Sequence, residues 1–168
     1  KNMVTKVKFM YENLPSWLKV DAAENNKLNL RLTNGSQIKA TSASSDAGRS
    51  EAVSLLLIDE AAFIDNIGEI WASAQQTLAT GGGCIALSTP YGTGNWFHQT
   101  WIRAENNEND FLPIRLPWDV HPERDQAWRD KQDDLLGDPR MAAQECDCDF
   151  STSGDIVFYP EYIEYYEK

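Results

Sequence analysis

The residues with the clearest chemical potential are two adjacent acids, Asp59 and Glu60, at the end of the apolar run Leu55–Ile58. An apolar strand that ends in carboxylates presents them at the carboxyl edge of a sheet, where α/β folds bind ligands. Successive strand side chains point in opposite directions, so the two acids can take different tasks. In nucleotide hydrolysis one such acid holds magnesium and the other orients and deprotonates the attacking water. The same run also reads as a buried strand ending in an exposed acidic turn. Ser88, Thr89 and Pro90 close the next apolar run, Cys84–Leu87. Hydroxyls at a neighbouring strand end can bond the catalytic carboxylate or sense a γ-phosphate; they also suit an ordinary turn. Arg49 lies in the polar loop Ser42–Ser50 ahead of the Val53–Ile58 strand. Strand length puts it on the far edge of the sheet from Asp59, out of reach of its own site but open to a neighbouring subunit's. On the residues alone, the preferred reading is a surface arginine in a polar loop.

The elements that must position these residues follow from periodicity. Val4, Val7, Met10, Tyr11 and Leu14 recur at helical spacing, and Pro15 stops that helix. Leu28, Leu30 and Leu32 alternate with polar residues, and Asn34–Gly35 leads into Gln37–Thr41, which predicts a hairpin with a two-residue turn. Val53–Ile58 is apolar enough for a strand buried on both faces. Ile67, Ile70, Trp71, Ala74 and Leu78 predict a helix over 67–78, ended by Gly81–Gly83. Helix is expected again over 96–104, strand over 111–116, and helices over 124–136 and 139–145. Ser151–Gly154 has linker composition, with a further strand expected at Ile156–Tyr159. Strands alternating with helices indicate an α/β sheet.

Composition narrows the function classes. The 168 residues include six Trp, six Tyr and six Phe, which excludes a disordered chain. No apolar run approaches the roughly 18 residues of a membrane span. Lys1–Met10 has charges but no apolar block, so no signal peptide is expected. Three cysteines, Cys84, Cys146 and Cys148, cannot all pair, which favours a reducing compartment. The net charge of −11 is uneven: residues 1–104 balance to zero, 105–149 carry −8 and 150–168 carry −3. A globally basic nucleic-acid binder is excluded. The shift near residue 105 predicts a boundary there.

Taken in order, these residues resemble one family, the large terminase subunit of tailed bacteriophages. The matching segments are Leu14–Leu18, the hairpin Leu28–Thr41, Ser42–Arg49, and Leu55–Glu60 with Ala61–Ile64. Ser88–Gly92, Gly94–Trp101 and the late Gln144–Glu145, Phe150 and Gly154 complete the series. The resemblance implies a partial P-loop NTPase sheet of RecA-like type with flanking helices, the hairpin and a small C-terminal helical subdomain. It implies that 1–104 is the second half of the ATPase core, 105–150 a bridging subdomain and 151–168 a linker toward a nuclease domain. It assigns Asp59 as the Walker B ligand of Mg2+, through water, and Glu60 as the catalytic carboxylate acting on ATP. Ser88–Thr89–Pro90 becomes the motif coupling hydrolysis to movement, and Arg49 an arginine acting in trans across a subunit interface. Ser50 stands where relatives usually carry Gly. The implied partners are double-stranded DNA, the viral portal protein, the small terminase subunit and further copies in a ring, with no membrane. The implied location is the host cytoplasm, docked on the procapsid during assembly.

One departure bears on activity. No Gly-x-x-x-x-Gly-Lys-[Ser/Thr] phosphate loop occurs in the chain; neither Gly81–Gly83 nor Gly92–Gly94 is followed by Lys. Without its amides and Lys, the β- and γ-phosphates lose their main cradle. The expectation is therefore an ATPase-domain fragment with negligible hydrolysis of its own. Two other readings compete: a superfamily-2 helicase or translocase fragment, and an inert domain that binds portal or DNA. Helicases carry Asp-Glu-Ala-Asp/His and Ser-Ala-Thr, against Asp-Glu-Ala-Ala and Ser-Thr-Pro here. Cys146 and Cys148 do not complete a zinc site with the distant Cys84, His98 and His121. His98 reads as a packed histidine, Trp118 and Trp128 as core anchors, and Asp147, Asp149 and Asp155 as solvated charges.

Overall fold

The computed structural model describes residues 2–42, 53–78 and 81–151. The chain divides into two compact units, Lys1–Ala47 and Gly48–Lys168. Arg49, Gly154, Asp155 and the expected strand Ile156–Tyr159 lie outside the described residues.

The first unit is a helix on a three-stranded antiparallel sheet. Helix α1 spans Asn2–Glu12, and the strands β1 (Ala22–Asn26), β2 (Asn29–Leu32) and β3 (Gln37–Lys39) lie in that order. Helix α1 packs on β2, and burial concentrates at Val4 and Leu30, which are 3% and 2% exposed. Leu30 sits opposite Asn25 on one side and Ile38 on the other. The expected hairpin is β2–β3, but its loop has three residues, Thr33–Gly35, and not two. Leu32 N–H donates to Ser36 O at 2.8 Å and Gly35 N–H to Leu32 O at 3.0 Å, with Gly35 at φ +88°. That is the three-residue loop that places a glycine in the left-handed region. Strand β1 has no apolar alternation and is exposed at every residue, which is why periodicity alone misses it. It is an edge strand held by backbone pairing, with Asn26 Oδ1 accepting from the Leu28 and Asn29 N–H groups at the turn.

The second unit is built on a parallel pair, β4 (Leu55–Ile58) and β5 (Gly83–Ala86), in register Leu55 to Gly83 through Ile58 to Ala86. Helix α2 (Ile67–Leu78) makes the crossover and has the expected bounds, with Ile67, Ile70, Ala74 and Leu78 buried. Ile58, Ala61, Ile67 and Ile70 form the core, with Leu56, Trp71, Cys84, Ala86, Trp96 and Phe97 packed around it. Gly82 is required at the return: a Cβ there would lie 2.3 Å from Val53 O.

Burial of β4 on both faces is not found. Leu55 and Leu57 are about half exposed, as are Ile85 and Leu87 on the same side. The buried face is the one that packs against Ile67 and Ile70 of α2. The expected strand at 111–116 is likewise absent. Its alternating Leu112, Ile114 and Leu116 are exposed and no described strand pairs with it, and a strand exists only through its partner. Phe111 instead packs at a tilt against Trp71, with ring centroids 5.3 Å apart.

Helix α3 (Trp96–Glu105) follows the β5 loop, capped by Asn95. Beyond it, helix α4 (Gln126–Leu136) starts at the Asp125 cap and ends at Gly137, φ +67°. The helix expected over 139–145 is a short α5 (Pro139–Ala142) continued by a π turn, Ala143–Asp147. Trp118 and Trp128 stack at 6.2 Å, and the Arg124 guanidinium sits 4.4 Å over the Trp128 ring. Asp147 is not a solvated charge. It receives the buried Arg129 side chain through Nε at 3.0 Å and Nη2 at 2.8 Å, and Arg129 also pairs with Asp133 one turn along α4. These carboxylates raise the Arg129 pKa above its ordinary value. Asp149 is engaged too, accepting from Ser151 N–H and Oγ–H.

Candidate nucleotide-hydrolysis site

Strand β4 delivers Asp59 and Glu60 to the carboxyl end of the parallel pair, where the chain turns sharply. Glu60 has φ 53° and ψ 42°, the left-handed conformation in a residue with a side chain. Such geometry costs of order 1–3 kcal/mol and persists only where surroundings enforce it. The surroundings here are the end of β5. Leu87 N–H donates to Ile58 O at 2.9 Å, Ala61 N–H to Leu87 O at 3.1 Å, and Ala62 N–H to Ser88 Oγ at 3.2 Å. Ala61 is fully buried directly after the turn. The two acids are thus held on a short rigid bend, stitched on its far side to Leu87 and Ser88.

Ser88 therefore lies beside the acidic turn, as the sequence leads one to expect, but its partner differs. Its Oγ accepts from the Ala62 backbone N–H, where the expected partner was a carboxylate accepting from its hydroxyl. Asp59 and Glu60 are exposed, and among the described residues neither forms an ion pair. Thr89 is half-buried and Pro90 buried. The chain then runs through Tyr91, whose ring packs at a tilt against Phe63 with centroids 4.6 Å apart, which ties the loop to the 3₁₀ turn Ala61–Phe63.

From Tyr91 to Gly94 the loop is held by the first turn of α3. Asn95 Nδ2 donates to Tyr91 O at 2.6 Å while its Oδ1 caps His98 N–H at 2.9 Å. Gln99 Nε2 donates to Gly94 O at 2.7 Å, and Gly94 N–H donates to His98 Nδ1 at 3.1 Å. The capping Asn95 was readable as an Asn just ahead of a helical pattern. The role of His98 had no sequence signal beyond its aromatic neighbours.

Cys84 lies in β5 under the core, and burial pushes its thiol up to about 11. Among the described residues no group of three His, Cys, Asp or Glu gathers as a metal cage. A magnesium ion needs less: one or two carboxylates, with water and phosphate oxygens completing its shell. The single exposed carboxylate of Asp59 at a strand end fits that donor set. No helix among the described residues is long and apolar enough to cross a membrane.

Comparison with known proteins bears on the fold and the family. A solved structure titled Thermus Phage P74-26 Large Terminase ATPase domain superimposes with a TM-score of 0.56 at 22% identity, covering 89% of this chain and 69% of that one. At that identity the likeness speaks for the fold. The sequence model of the family described as terminase large subunit, T4likevirus-type, N-terminal, matches residues 1–161. The mixed α/β chain, with its acids at the end of a parallel strand, belongs to the T4-like terminase large subunit family and corresponds to its N-terminal region.

Proposed function

We propose that this chain forms part of the ATP-hydrolysing motor that packages DNA into a viral procapsid, and that Asp59 and Glu60 serve its hydrolytic centre. The observation that carries this reading is the Glu60 turn, whose left-handed backbone is enforced by Leu87 and Ser88. The enforced turn holds two acids at the carboxyl end of a parallel strand, the edge where α/β folds bind ligands. It suits acids that must keep one orientation toward a bound nucleotide.

Asp59 would hold magnesium, through water, and the ion supplies charge neutralisation on the phosphates when bound with ATP. Glu60 accepts the proton of the attacking water and orients it, an effect worth roughly 10²–10⁴ in rate. Ser88–Thr89–Pro90 couples the state of that centre to movement, since Ser88 is bonded to the backbone of the same turn. Arg49 acts in trans on a neighbouring copy's nucleotide within a ring. The parallel pair β4–β5 belongs, on this reading, to a P-loop NTPase sheet, with the phosphate cradle outside residues 1–168. Residues 105–150 bridge toward a nuclease domain that 151–168 approach. DNA, portal protein and the small terminase subunit are the partners, in the host cytoplasm. ATP turnover by the full-length protein carrying Glu60→Gln tests the reading; a loss of at least about 100-fold is expected.

A further inference from the structure

We propose that His98 is a positioning residue that fixes the Tyr91–Gly94 loop from α3 and makes its conformation depend on the packing of Phe150. Two contacts meet on one imidazole. Nδ1 accepts from Gly94 N–H at 3.1 Å, so the ring proton sits on Nε2. The same ring meets Phe150 edge-on, with centroids 5.0 Å apart and planes at 66°. Phe97 and Trp101 also flank Phe150, at 6.0 and 6.1 Å, and of these three neighbours of Phe150 His98 is, among the described residues, the one hydrogen-bonded to the loop.

Gly94 has φ +86° and Gly92 φ +66°, so this backbone has conformational freedom of its own and takes its shape from side chains. The loop continues directly from Ser88–Pro90. A shift of Phe150 rotates the imidazole and breaks the alignment of Gly94 N–H with Nδ1; by linkage, a shift of the loop disturbs Phe150 equally. Phe150 follows the π turn Ala143–Asp147, which Arg129 clamps to α4. His98 thus joins the loop after β5 to the helical region at the end of the described chain. The consequence for turnover rests on the role proposed above for Ser88–Pro90; the link itself does not.

Amide hydrogen exchange of the 91–95 segment in the full-length protein tests the link. His98→Phe keeps a ring on Phe150 without the acceptor, and His98→Asn places an acceptor near the Nδ1 position without the ring. His98→Phe should raise Gly94 exchange about tenfold, and Phe150→Leu should raise it several-fold although Phe150 does not touch Gly94. In the His98→Phe background Phe150→Leu should add nothing, and in His98→Asn the protection should persist and ignore Phe150. Exchange of 55–58 serves as the folding control; if Phe150→Leu loosens it, the smaller change Phe150→Met is read instead. Unchanged Gly94 exchange in the Phe150 variant, or the same increment with and without His98, overturns the link. In turnover, His98→Phe should lower kcat about fivefold with KM for ATP unchanged, and His98→Asn should restore it. Coupled exchange with kcat unaffected supports the link and overturns the role given to Ser88–Pro90.

Discussion

Ser88 Oγ accepts a hydrogen bond from the Ala62 backbone N–H at 3.2 Å, across 26 residues of sequence. With Ala61 N–H bonded to Leu87 O, it locks the turn that carries Asp59 and Glu60 to the end of β5. The two segments singled out for their chemistry are joined through backbone, and through the one serine side chain able to accept there.

Ser88→Ala should therefore act on stability as well as on activity. It leaves the N–H of the buried Ala62 without its acceptor, which costs about 1–3 kcal/mol. Chemical denaturation reads this as a lower midpoint with an unchanged m value. Ser88→Thr keeps an acceptor and should lose less. Equal losses in the two variants would show that the hydroxyl bond contributes nothing.

The clamp between α4 and the π turn makes a second prediction. Removing one partner of a buried ion pair costs about 3–5 kcal/mol; Asp147 is one-third exposed, so Asp147→Ala should cost nearer about 2 kcal/mol. Arg129→Met removes the buried charge together with its bonds and should cost less than Asp147→Ala, which leaves that charge behind. Thermal unfolding of the two variants orders them, and the reverse order would contradict a desolvated Arg129.

Cys84 supplies the pH dependence. Its thiol is raised from an ordinary 9.0 to about 11 by burial. At pH 8 its thiolate is roughly a hundredfold scarcer than that of an ordinary cysteine, so alkylation should be slowed by about that factor. Because the folded value exceeds the unfolded one, its contribution to stability is complete below pH 9 and is lost as pH rises through about 11. Cys84→Ala should flatten the stability profile between those values; an unaltered profile would refute the assignment.

The bare side of β4–β5 bears on association. Leu55, Leu57, Ile85 and Leu87 lie together on that side, each about half exposed. Residues 1–168 alone should self-associate as concentration rises, and Leu57→Asp should reverse this, since contiguous apolar surface of this kind seeks a partner. Sedimentation showing a monomer over a wide concentration range would contradict it.

Much of the second unit was legible in the sequence because burial imposes periodicity. The apolar run ending at Ile58 and the Ile67, Ile70, Ala74, Leu78 spacing mark β4 and α2 to within a residue or two. Strand β1 was not legible: Ala22–Asn26 is exposed throughout and defined by backbone pairing, which leaves no side-chain pattern. Residues 111–116 failed in the opposite way, with a strand pattern but no described strand to pair with. The acids and Ser88 could be placed at neighbouring strand ends, yet the left-handed Glu60 and the serine's backbone partner depend on register between β4 and β5. Arg129 and Asp147 are 18 residues apart, and nothing local to either marks them as a pair.

The role proposed for Glu60 is proton transfer, beyond that of a turn residue. The most direct measurement is ATP turnover by the full-length protein beside its Glu60→Gln variant, with ATP binding and circular dichroism measured on both. Turnover should fall by at least about 100-fold, with binding and fold retained. Turnover within a few-fold of the parent protein, in a folded variant that binds ATP, would contradict it.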